Sequence, residues 1–495
     1  MSPTRTRIIV LLLMAFATAI AAAFFIPQSL RLDEAQTLWQ VSRFPNEIFH
    51  VIGSDVHVPL YHFLLFAWNS FFGNGITVDR IFSLVFFLAS IPMMVIVGDE
   101  TYGSRRIGTF GAVLLALSPF MNWYASEIRM YTMLVFMTLV SQYFFIRFRK
   151  TGSNAAWWGY LVTGMIGAYV HYFFGLVLIA QAIFFIFFRH EFRPGSMRRL
   201  LLAYAIVLLA LAPWAIYVLT LGQASNSVPL LPVPSLINLF NTFSEFLIGE
   251  QSVPINAFVV ALWPLIMLAW FLTFQKRGQR GPDHASLLFL LLLPIGIAFA
   301  VSVLYKPVYL ERYLIFAASA FYLMLSAMID AYPRKLANAL RIAFAGAMLA
   351  MIYVLAVNPA TPVKENYAAA AQYLTQYGKP SDIAIVSAPF TVYPLEYYYN
   401  GPVAIDTLPL WDQYAEGPVP PFATSTFPSE VQQIAGDHAR LWLLLSYNQG
   451  YQPAVQSYFD SHYRRLDAYT LSPGMVLELY QLRYDVATAT VAAAQ

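Results

Sequence analysis

The amino-acid sequence predicts a polytopic α-helical membrane protein that ends in a small soluble α/β domain. Of its 495 residues, 59% are hydrophobic and only 11% are charged, whereas about 25% of the residues in a soluble globular domain are charged. Long apolar stretches recur up to about residue 357, and after Asn358-Pro359 short strand-like runs replace them. We therefore expect a membrane domain over residues 1–358 and an extracytoplasmic domain over residues 359–495.

The composition also excludes several classes of function. The formal net charge of +3 is too small to indicate a nucleic-acid partner. The basic residues lie mainly in short connecting segments, as they do when they set the orientation of a membrane protein. The chain has no cysteine, which excludes disulfides, thiolate catalysis and cysteine-ligated metals.

Eleven apolar segments are predicted to cross the membrane. The first, from Ile8 to about Ile26, exceeds the 7–15 residues of a signal-peptide core and approaches the ~20 residues of a spanning helix, so it predicts an uncleaved anchor. The other predicted spans lie near residues 79–98, 106–121, 128–146, 155–170, 172–188, 199–220, 256–274, 285–304, 313–330 and 341–357.

The apolar stretch 58–72 decides the predicted topology. It is short for a crossing, which needs about 20 residues, and is predicted to lie along the interface. All five basic connections then fall in the cytoplasm, as the positive-inside rule requires. These connections are Arg105-Arg106, Arg147 to Lys150, Arg189 to Arg199, Lys276 to Arg280, and Arg334 to Arg341. We expect a multi-pass protein of the cytoplasmic membrane whose active site and C-terminal domain are extracytoplasmic.

Two adjacent carboxylates, Asp33 and Glu34, directly follow the first predicted span. Such acids at a membrane boundary are costly and need a reason. One interpretation makes Asp33 a general base at the lip of a membrane-embedded cavity, with Glu34 shaping its environment or holding a metal or a loop. The alternative is solvated charge at the interface.

Further polar residues collect in or beside the predicted external loops. Each alone could be a snorkelling or interface-anchoring side chain, but their shared side of the membrane favours a site. The candidates are His57, Tyr61, Arg80, Tyr124, Glu127, Arg129, Tyr131, His171, Lys306 and Arg312.

Two other regions carry weaker signals. The external loop 222–255 contains an amphipathic helix pattern over residues 238–247, and the loop could be a lid or a plain surface connection. In the C-terminal domain a helix is predicted over Tyr367–Tyr377, and strands over residues 383–386, 441–445 and 476–480. The aromatic residues between residues 389 and 428 favour packing over ligand stacking, and the tail after Asp485 is expected to be disordered.

With these residues assembled, the chain resembles the membrane glycosyltransferases of the GT-C fold. The resemblance is to glycosyltransferase family 39 and the protein-mannosyltransferase and aminoarabinose-transferase-like group, over roughly residues 8–330. One departure is His57-Val58-Pro59, where a second proline is common in relatives. The motifs that carry the resemblance are Asp33-Glu34, His57-Val58-Pro59-Leu60-Tyr61, Arg80, Ser118-Pro119 with Tyr124, Glu127, Arg129 and Tyr131, and Arg312-Tyr313.

The resemblance implies inverting transfer of a sugar from a polyprenyl-phosphate donor to a hydroxyl acceptor outside the cytoplasm. By this resemblance Asp33 matches the catalytic aspartate, and Glu127 matches a second acidic position that orients donor or acceptor. The leaving lipid phosphate needs fixed cations, for which Arg312 is the first choice. The second choices are Lys306, Arg129 and Arg80, with His57 as a partner for the phosphate or a hydroxyl.

Several alternatives stay open from the sequence. A divalent metal is possible but no ligand spacing is diagnostic, and the sugar and the acceptor, whether protein, lipid or glycan, are undetermined. A lipid or solute transporter would also contain few, functional charges. Against a transporter, the acids and arginines lie at one interface rather than at mid-span, and no inverted repeat is evident. A scaffold subunit of an envelope assembly would make Asp33 and Arg312 dispensable.

Overall fold

The computed structural model describes residues 1–55, 57–221, 231–250, 254–259, 261, 281–357, 365–414, 419–436 and 438–482. The described chain forms two compact units. The helical unit contains residues 1–27 and the described residues from 40 to 357, and the sheet unit contains residues 28–39 and the described residues from 365 to 482. Residues 28–39, which follow the first span, therefore group with the C-terminal domain rather than with the helices around them in sequence.

The described chain up to residue 187 is almost entirely helical. Its α-helices are α1 (Pro3–Ile20), α2 (Leu32–Val41), α3 (Pro45–Gly53), α4 (Leu60–Phe72), α5 (Ile76–Tyr102), α6 (Arg105–Leu117), α7 (Pro119–Ala125), α8 (Tyr131–Thr151), α9 (Asn154–Val170) and α10 (Phe174–Phe187). A π-helical turn over Ala21–Phe25 extends α1.

The rest of the helical unit continues with helices on both sides of undescribed stretches. They are α11 (Ser196–Leu221), α12 (Leu236–Ile248), α13 (Pro282–Leu304), α14 (Ile315–Asp330) and α15 (Arg334–Val357), with a 3-10 turn over Glu311–Leu314 before α14. The predicted span 256–274, the basic connection Lys276 to Arg280 and the tail after Asp485 lie largely or wholly outside the described residues.

Local sequence signals explain several helix boundaries. Helices α5 and α8 each end at a glycine with a left-handed backbone, Gly103 (φ 60°) and Gly152 (φ 63°), because this conformation is unfavourable for residues that carry a Cβ. Ser118-Pro119 separates α6 from α7, and the two helices meet at 63°. The Ser118 hydroxyl accepts a hydrogen bond from the Met121 backbone N–H (3.2 Å) and so caps α7.

Seven helices in the described part of the chain are long and apolar enough to cross a membrane, or eight if α6 and α7 form one bent span. This agrees with the predicted multi-pass membrane fold. Ten of the eleven predicted spans coincide with helices, but α9 and α10 have only 17 and 14 residues. A helix of 14 residues is about 21 Å long, against a hydrocarbon core of about 30 Å, so the total of eleven stays a prediction.

Three short helices occupy the segment between the first two long spans, as predicted for interfacial helices. The third, α4, has 13 residues and is absent from the group of spanning helices. Its length agrees with the assignment of residues 58–72 to the interface. The side of the membrane on which this segment lies stays a prediction.

The sheet unit contains a five-stranded sheet with the strand order β2-β1-β3-β5-β4. Strands β1 and β2 are parallel, as are β1 and β3, while β5 pairs antiparallel with β3 and β4. The strands are β1 (Ile383–Ser387), β2 (Ala404–Thr407), β3 (Arg440–Leu445), β4 (Arg464–Ser472) and β5 (Met475–Gln481), and the helices are α16 (Tyr367–Tyr377), α17 (Val392–Tyr398), α18 (Phe427–Ala435) and α19 (Gln452–His462).

The predicted strands correspond to β1, β3 and β5, and the predicted helix to α16. Strand β4 was not predicted, because it is an edge strand with mostly exposed side chains and lacks an apolar pattern. Strand β2, at the opposite edge, has only four residues. The apolar core lies around β1 and β3, where Ile385, Leu441 and Leu443 are fully buried.

Cysteine labelling tests the predicted orientation. The chain contains no cysteine, so single cysteines can be introduced at Tyr305, which is 89% exposed, at the exposed Gln449 and at the exposed Arg198. We expect Tyr305→Cys and Gln449→Cys to react with an impermeant maleimide on intact cells, and Arg198→Cys to react only after the cells are opened. The reverse pattern would place the candidate site in the cytoplasm and reject the topology.

Candidate active site

A buried polar cluster surrounds Arg129, in the turn between α7 and α8. The Arg129 Nη2 atom lies 2.8 Å from His57 Nε2, and both side chains are buried, with 4% and 6% exposed. Because the guanidinium can only donate, His57 Nε2 accepts this hydrogen bond and the imidazole proton lies on Nδ1. Asp55 Oδ2 lies 3.7 Å from the same His57 nitrogen and accepts a hydrogen bond from Gln40 Nε2 at 2.7 Å.

Ser83 on α5 fixes the turn that carries Arg129. Its hydroxyl donates to the Arg129 carbonyl (3.2 Å), and the Ser83 carbonyl accepts from the Thr132 hydroxyl (2.7 Å) at the start of α8. The Tyr61 hydroxyl lies 2.8 Å from Ser83 Oγ. Tyr61, a predicted substrate-binding residue, is fully buried and in this structure supports the turn through Ser83.

His62 completes this cluster and was not predicted as a site residue. Its side chain is fully buried, and its ring stacks on His57 with 5.8 Å between centroids. Among the described groups near its ring is the Val58 carbonyl. Burial, and then the neighbouring His57 and Arg129, hold the pKa of His62 well below its usual value. The only signal in the sequence was its place in the run His57-Val58-Pro59-Leu60-Tyr61-His62.

A row of aromatic rings connects the α7–α8 turn to the segment that carries Arg312. Tyr124 and Tyr131 are in edge contact (5.2 Å between centroids), Tyr131 lies 6.4 Å from His171, and His171 lies 5.6 Å from Tyr313. The Arg312 guanidinium lies over the Tyr313 ring, 5.6 Å from its centroid. The structure therefore brings four predicted residues into one row: Tyr124, Tyr131, His171 and Arg312.

His171 is held neutral within this row. Its Nδ1 atom accepts a hydrogen bond from the Phe173 backbone N–H (3.0 Å), so its proton lies on Nε2. Burial, and then Arg129, lower its pKa to about 3. His171 can therefore offer a neutral hydrogen-bond donor at physiological pH, but not a charge.

The other predicted residues of the helical unit have different surroundings. Arg80 is fully buried and donates to the carbonyl groups of Phe25 (3.5 Å) and Ile26 (2.8 Å) after α1. Glu127 is fully buried, and its carbonyl accepts from the Arg129 backbone N–H at 2.7 Å. Lys306 is half-buried after α13, where its backbone N–H donates to Val301 (3.0 Å).

Two glutamates that lie near Glu311, Glu245 and Glu250, were also missed. Glu245 on α12 has its pKa raised well above the usual range by burial, and then by the neighbouring Glu311 and Glu250. Glu245 and Glu250 line a narrow pocket together with aromatic residues that include Tyr124. The amphipathic pattern of α12 marked this helix in the sequence, but nothing marked the approach of its acids to Glu311.

Asp33 and Glu34 belong to the sheet unit and lie in the first turn of α2. Glu34 is fully buried, and its Oε2 atom accepts from the Arg31 backbone N–H (2.9 Å), which stabilises the start of the helix. Asp33 is half-buried, and its carbonyl accepts from the Thr37 hydroxyl (2.9 Å). Glu34 thus holds the turn on which Asp33 is presented.

Glu365 lies close enough to Asp33 and Glu34 to interact with them electrostatically. It was not predicted as a site residue from the sequence. Burial raises the pKa of Glu365; Arg31 opposes this shift, and Asp33 and Glu34 add to it. Four charged side chains therefore lie close enough to interact within the sheet unit. The described residues contain no group of three or more histidine, aspartate or glutamate side chains arranged to hold a metal ion.

Comparison with known proteins identifies the fold. Residues 56–217 match a family model described as dolichyl-phosphate-mannose-protein mannosyltransferase. Curated protein sequences give no match. ArnT from Cupriavidus metallidurans matches with TM-scores of 0.60 in the apo state and 0.59 bound to undecaprenyl phosphate, at 13% identity over 95% of this chain and 97% of that chain. Apo oligosaccharyltransferase from Archaeoglobus fulgidus matches with a TM-score of 0.54 at 12% identity, over 93% of this chain and 73% of that chain.

These comparisons confirm the resemblance inferred from the sequence. The chain has the fold of the GT-C membrane glycosyltransferases and is similar to proteins of the family 39-like group. The family match begins next to His57 and includes the Ser83 and Arg129 cluster. It does not include Asp33 or Arg312.

The two neutral histidines make stability depend on pH. His62 and His171 have folded pKa values below the usual 6.5, so they take up a proton on unfolding below that pH. Stability is therefore fully present above about pH 6.5 and falls as the pH decreases, by about 1.4 kcal/mol per pH unit for each group. We expect His62→Leu and His171→Leu each to reduce this slope, measured by denaturant unfolding in mild detergent.

A matched control is His190→Leu, because the His190 side chain is 70% exposed. This change should leave the pH slope as it is in the wild-type protein. A slope that stays unchanged in the His62 and His171 variants as well would contradict the buried, neutral state of both imidazoles.

Proposed function

We propose that this chain, which has the GT-C fold and matches the protein-mannosyltransferase family model over residues 56–217, is a membrane glycosyltransferase. It moves a sugar from a polyprenyl-phosphate carrier to a hydroxyl acceptor, with inversion at the anomeric carbon, on the outer face of the cytoplasmic membrane. The observation that carries the proposal is the buried cluster of Arg129 and His57 within the family match. A buried cation stabilises negative charge far better than a hydrated one does.

The donor assignment follows from the charge of the leaving group. One of the matching structures contains undecaprenyl phosphate, which supports a lipid phosphate as the group released here. Its departure leaves negative charge on oxygen, and a fixed arginine stabilises this charge in the transition state. Arg312 is the first candidate, because its guanidinium offers two parallel donors to a phosphate. Lys306, Arg129 and Arg80 are second candidates, although Arg80 donates to carbonyl groups beyond α1.

The reaction needs a general base because the acceptor is a hydroxyl group. A hydroxyl must lose its proton as its oxygen bonds to the anomeric carbon, while the bond from that carbon to the phosphate oxygen breaks and the phosphate leaves with the electron pair. Asp33 takes the proton. Glu34 is already engaged with the Arg31 backbone N–H and supports the turn. Glu365 lies close enough to Asp33 for the two carboxyl groups to interact.

The remaining predicted residues, all in the helical unit, are proposed to form its substrate-binding surface. Glu127 orients donor or acceptor, and His57 contacts the phosphate or a sugar hydroxyl. Tyr124, Tyr131 and His171 line the substrate-binding surface. Tyr61 supports the Arg129 turn through its contact with Ser83. Asp33 and Glu34 are adjacent acids and are compatible with a divalent ion, and the proposed roles hold with or without one.

Replacing Asp33 tests the proposed base. Asp33→Asn keeps the size of the side chain but cannot accept the proton, so we expect sugar transfer to fall by about 10²–10⁴-fold while the protein stays folded. Glu34→Gln should cost less. The matched control is Asp412→Asn, at an exposed aspartate of the same unit. Near-normal transfer by Asp33→Asn, combined with loss of transfer in Glu127→Gln or Glu365→Gln, would reassign the base.

Replacing Arg312 tests the proposed phosphate ligand. We expect Arg312→Ala to lose about 3 kcal/mol of transition-state stabilisation, because a charged donor to the leaving group is removed. Arg312→Lys should restore transfer only in part, since lysine lacks the planar fork. Steady-state kinetics against the lipid-linked donor give the measurement, and Arg334→Ala, at an exposed arginine, is the control. Unchanged donor dependence in Arg312→Ala would move this role to Lys306 or Arg129.

A further inference from the structure

A cavity of about 500 Å³ lies at the end of the helical unit where α1 begins, α5 ends and α6 begins. This volume is in the range of small-molecule sites. Its charged lining consists of Arg7, Asp99, Glu100, Arg105 and Lys150. Along α5, Asp99 lies roughly 30 Å from Arg80 at a rise of about 1.5 Å per residue, so this cavity is separate from the candidate active site.

The carboxylates of the cavity already have cationic partners. Arg105 Nε lies 3.1 Å from Asp99 Oδ2, and Lys150 Nζ lies 3.5 Å from Glu100 Oε1. Arg7, in contrast, makes no ion pair or side-chain hydrogen bond with any residue in the described part of the chain, and it is exposed. The cavity therefore contains a guanidinium that is available to an anion.

Two helix N-termini contribute to the same wall. Pro3 begins α1, Arg105 begins α6, and both residues line the cavity. The serine caps satisfy one N–H group in each helix, those of Arg5 and Ile107. Other N–H groups of these first turns, together with the helix dipoles, favour a bound anion.

The polar lining adjoins an apolar surface. Ile96 lines the cavity and is 45% exposed, and Ile8 and Leu11 on α1 are 53% and 65% exposed. Helices α1 and α5 are both apolar enough to span a membrane, so these side chains are placed to contact acyl chains. An anion that binds here and also carries acyl chains would satisfy both surfaces.

We propose that this cavity binds the phosphate headgroup of an anionic membrane phospholipid, with Arg7 and Arg105 as its cationic contacts. Basic pockets between transmembrane helices bind anionic lipid headgroups, and each lysine or arginine near the surface contributes modestly. The site is independent of sugar transfer: neither arginine belongs to the proposed catalytic machinery. Bound lipid would join the ends of α1, α5 and α6.

The test uses the full chain in nanodiscs of equal phosphatidylglycerol and phosphatidylcholine, with native mass spectrometry of the lipids that stay bound. We expect the wild-type protein to retain phosphatidylglycerol selectively. Arg7→Gln should weaken this preference about fivefold, the effect of one cation, and Arg7→Gln with Arg105→Gln should abolish it. Arg5→Gln is the matched control, because Arg5 is exposed on the same helix but does not line the cavity.

Three results would overturn the proposal. Equal retention of both lipids by the wild-type protein would exclude selective binding. An equal effect of Arg5→Gln and Arg7→Gln would indicate general attraction to the charged membrane surface rather than a built site. Complete displacement of phosphatidylglycerol by inorganic phosphate at millimolar concentration would make the site one for free phosphate instead of a lipid.

Discussion

The candidate site of the helical unit is organised around one buried guanidinium, that of Arg129. Removing an arginine from water is costly unless its donors meet acceptors in good geometry, and the cluster shows how part of this cost is met. His57 offers a lone pair at 2.8 Å, while Ser83 and Thr132 hold the backbone of the turn. Burial keeps both His62 and His171 neutral, and the nearby Arg129 adds to this effect.

The sheet unit imposes a second constraint, on Asp33. The Leu30 backbone N–H donates to the Tyr398 hydroxyl (2.9 Å), and Trp39 packs on Tyr393 with 4.9 Å between ring centroids. The two ends of the segment 28–39 are therefore tied to α17, and the first turn of α2 is held between them. The position of the proposed base within the sheet unit therefore depends on the C-terminal fold. Tyr393 and Tyr398, which make these contacts, belong to the aromatic residues between residues 389 and 428 for which the sequence favoured packing over ligand stacking.

Hydropathy and short motifs were sufficient to predict much of this structure. Long apolar segments gave the helices because a membrane span has a fixed length, and the Ser118-Pro119 break and the Arg129 turn follow from local signals. Glu365 and His62 could not be found in this way, because their significance comes from neighbours that are distant in sequence: Asp33 for Glu365, and Arg129 for His62. The grouping of residues 28–39 with the sheet was missed for the same reason: Tyr398 lies 368 residues from Leu30.

The central proposal is that the chain cleaves a sugar from a lipid phosphate rather than moving the intact molecule across the membrane. The most direct measurement incubates the purified protein, reconstituted in liposomes, with a radiolabelled polyprenyl-phosphate sugar and membrane extract as the source of acceptor, and follows released polyprenyl phosphate. We expect release that depends on the acceptor and is lost in Asp33→Asn. Transfer of the intact sugar lipid between leaflets, with no release above that of Asp33→Asn, would contradict the transferase proposal and identify a transporter.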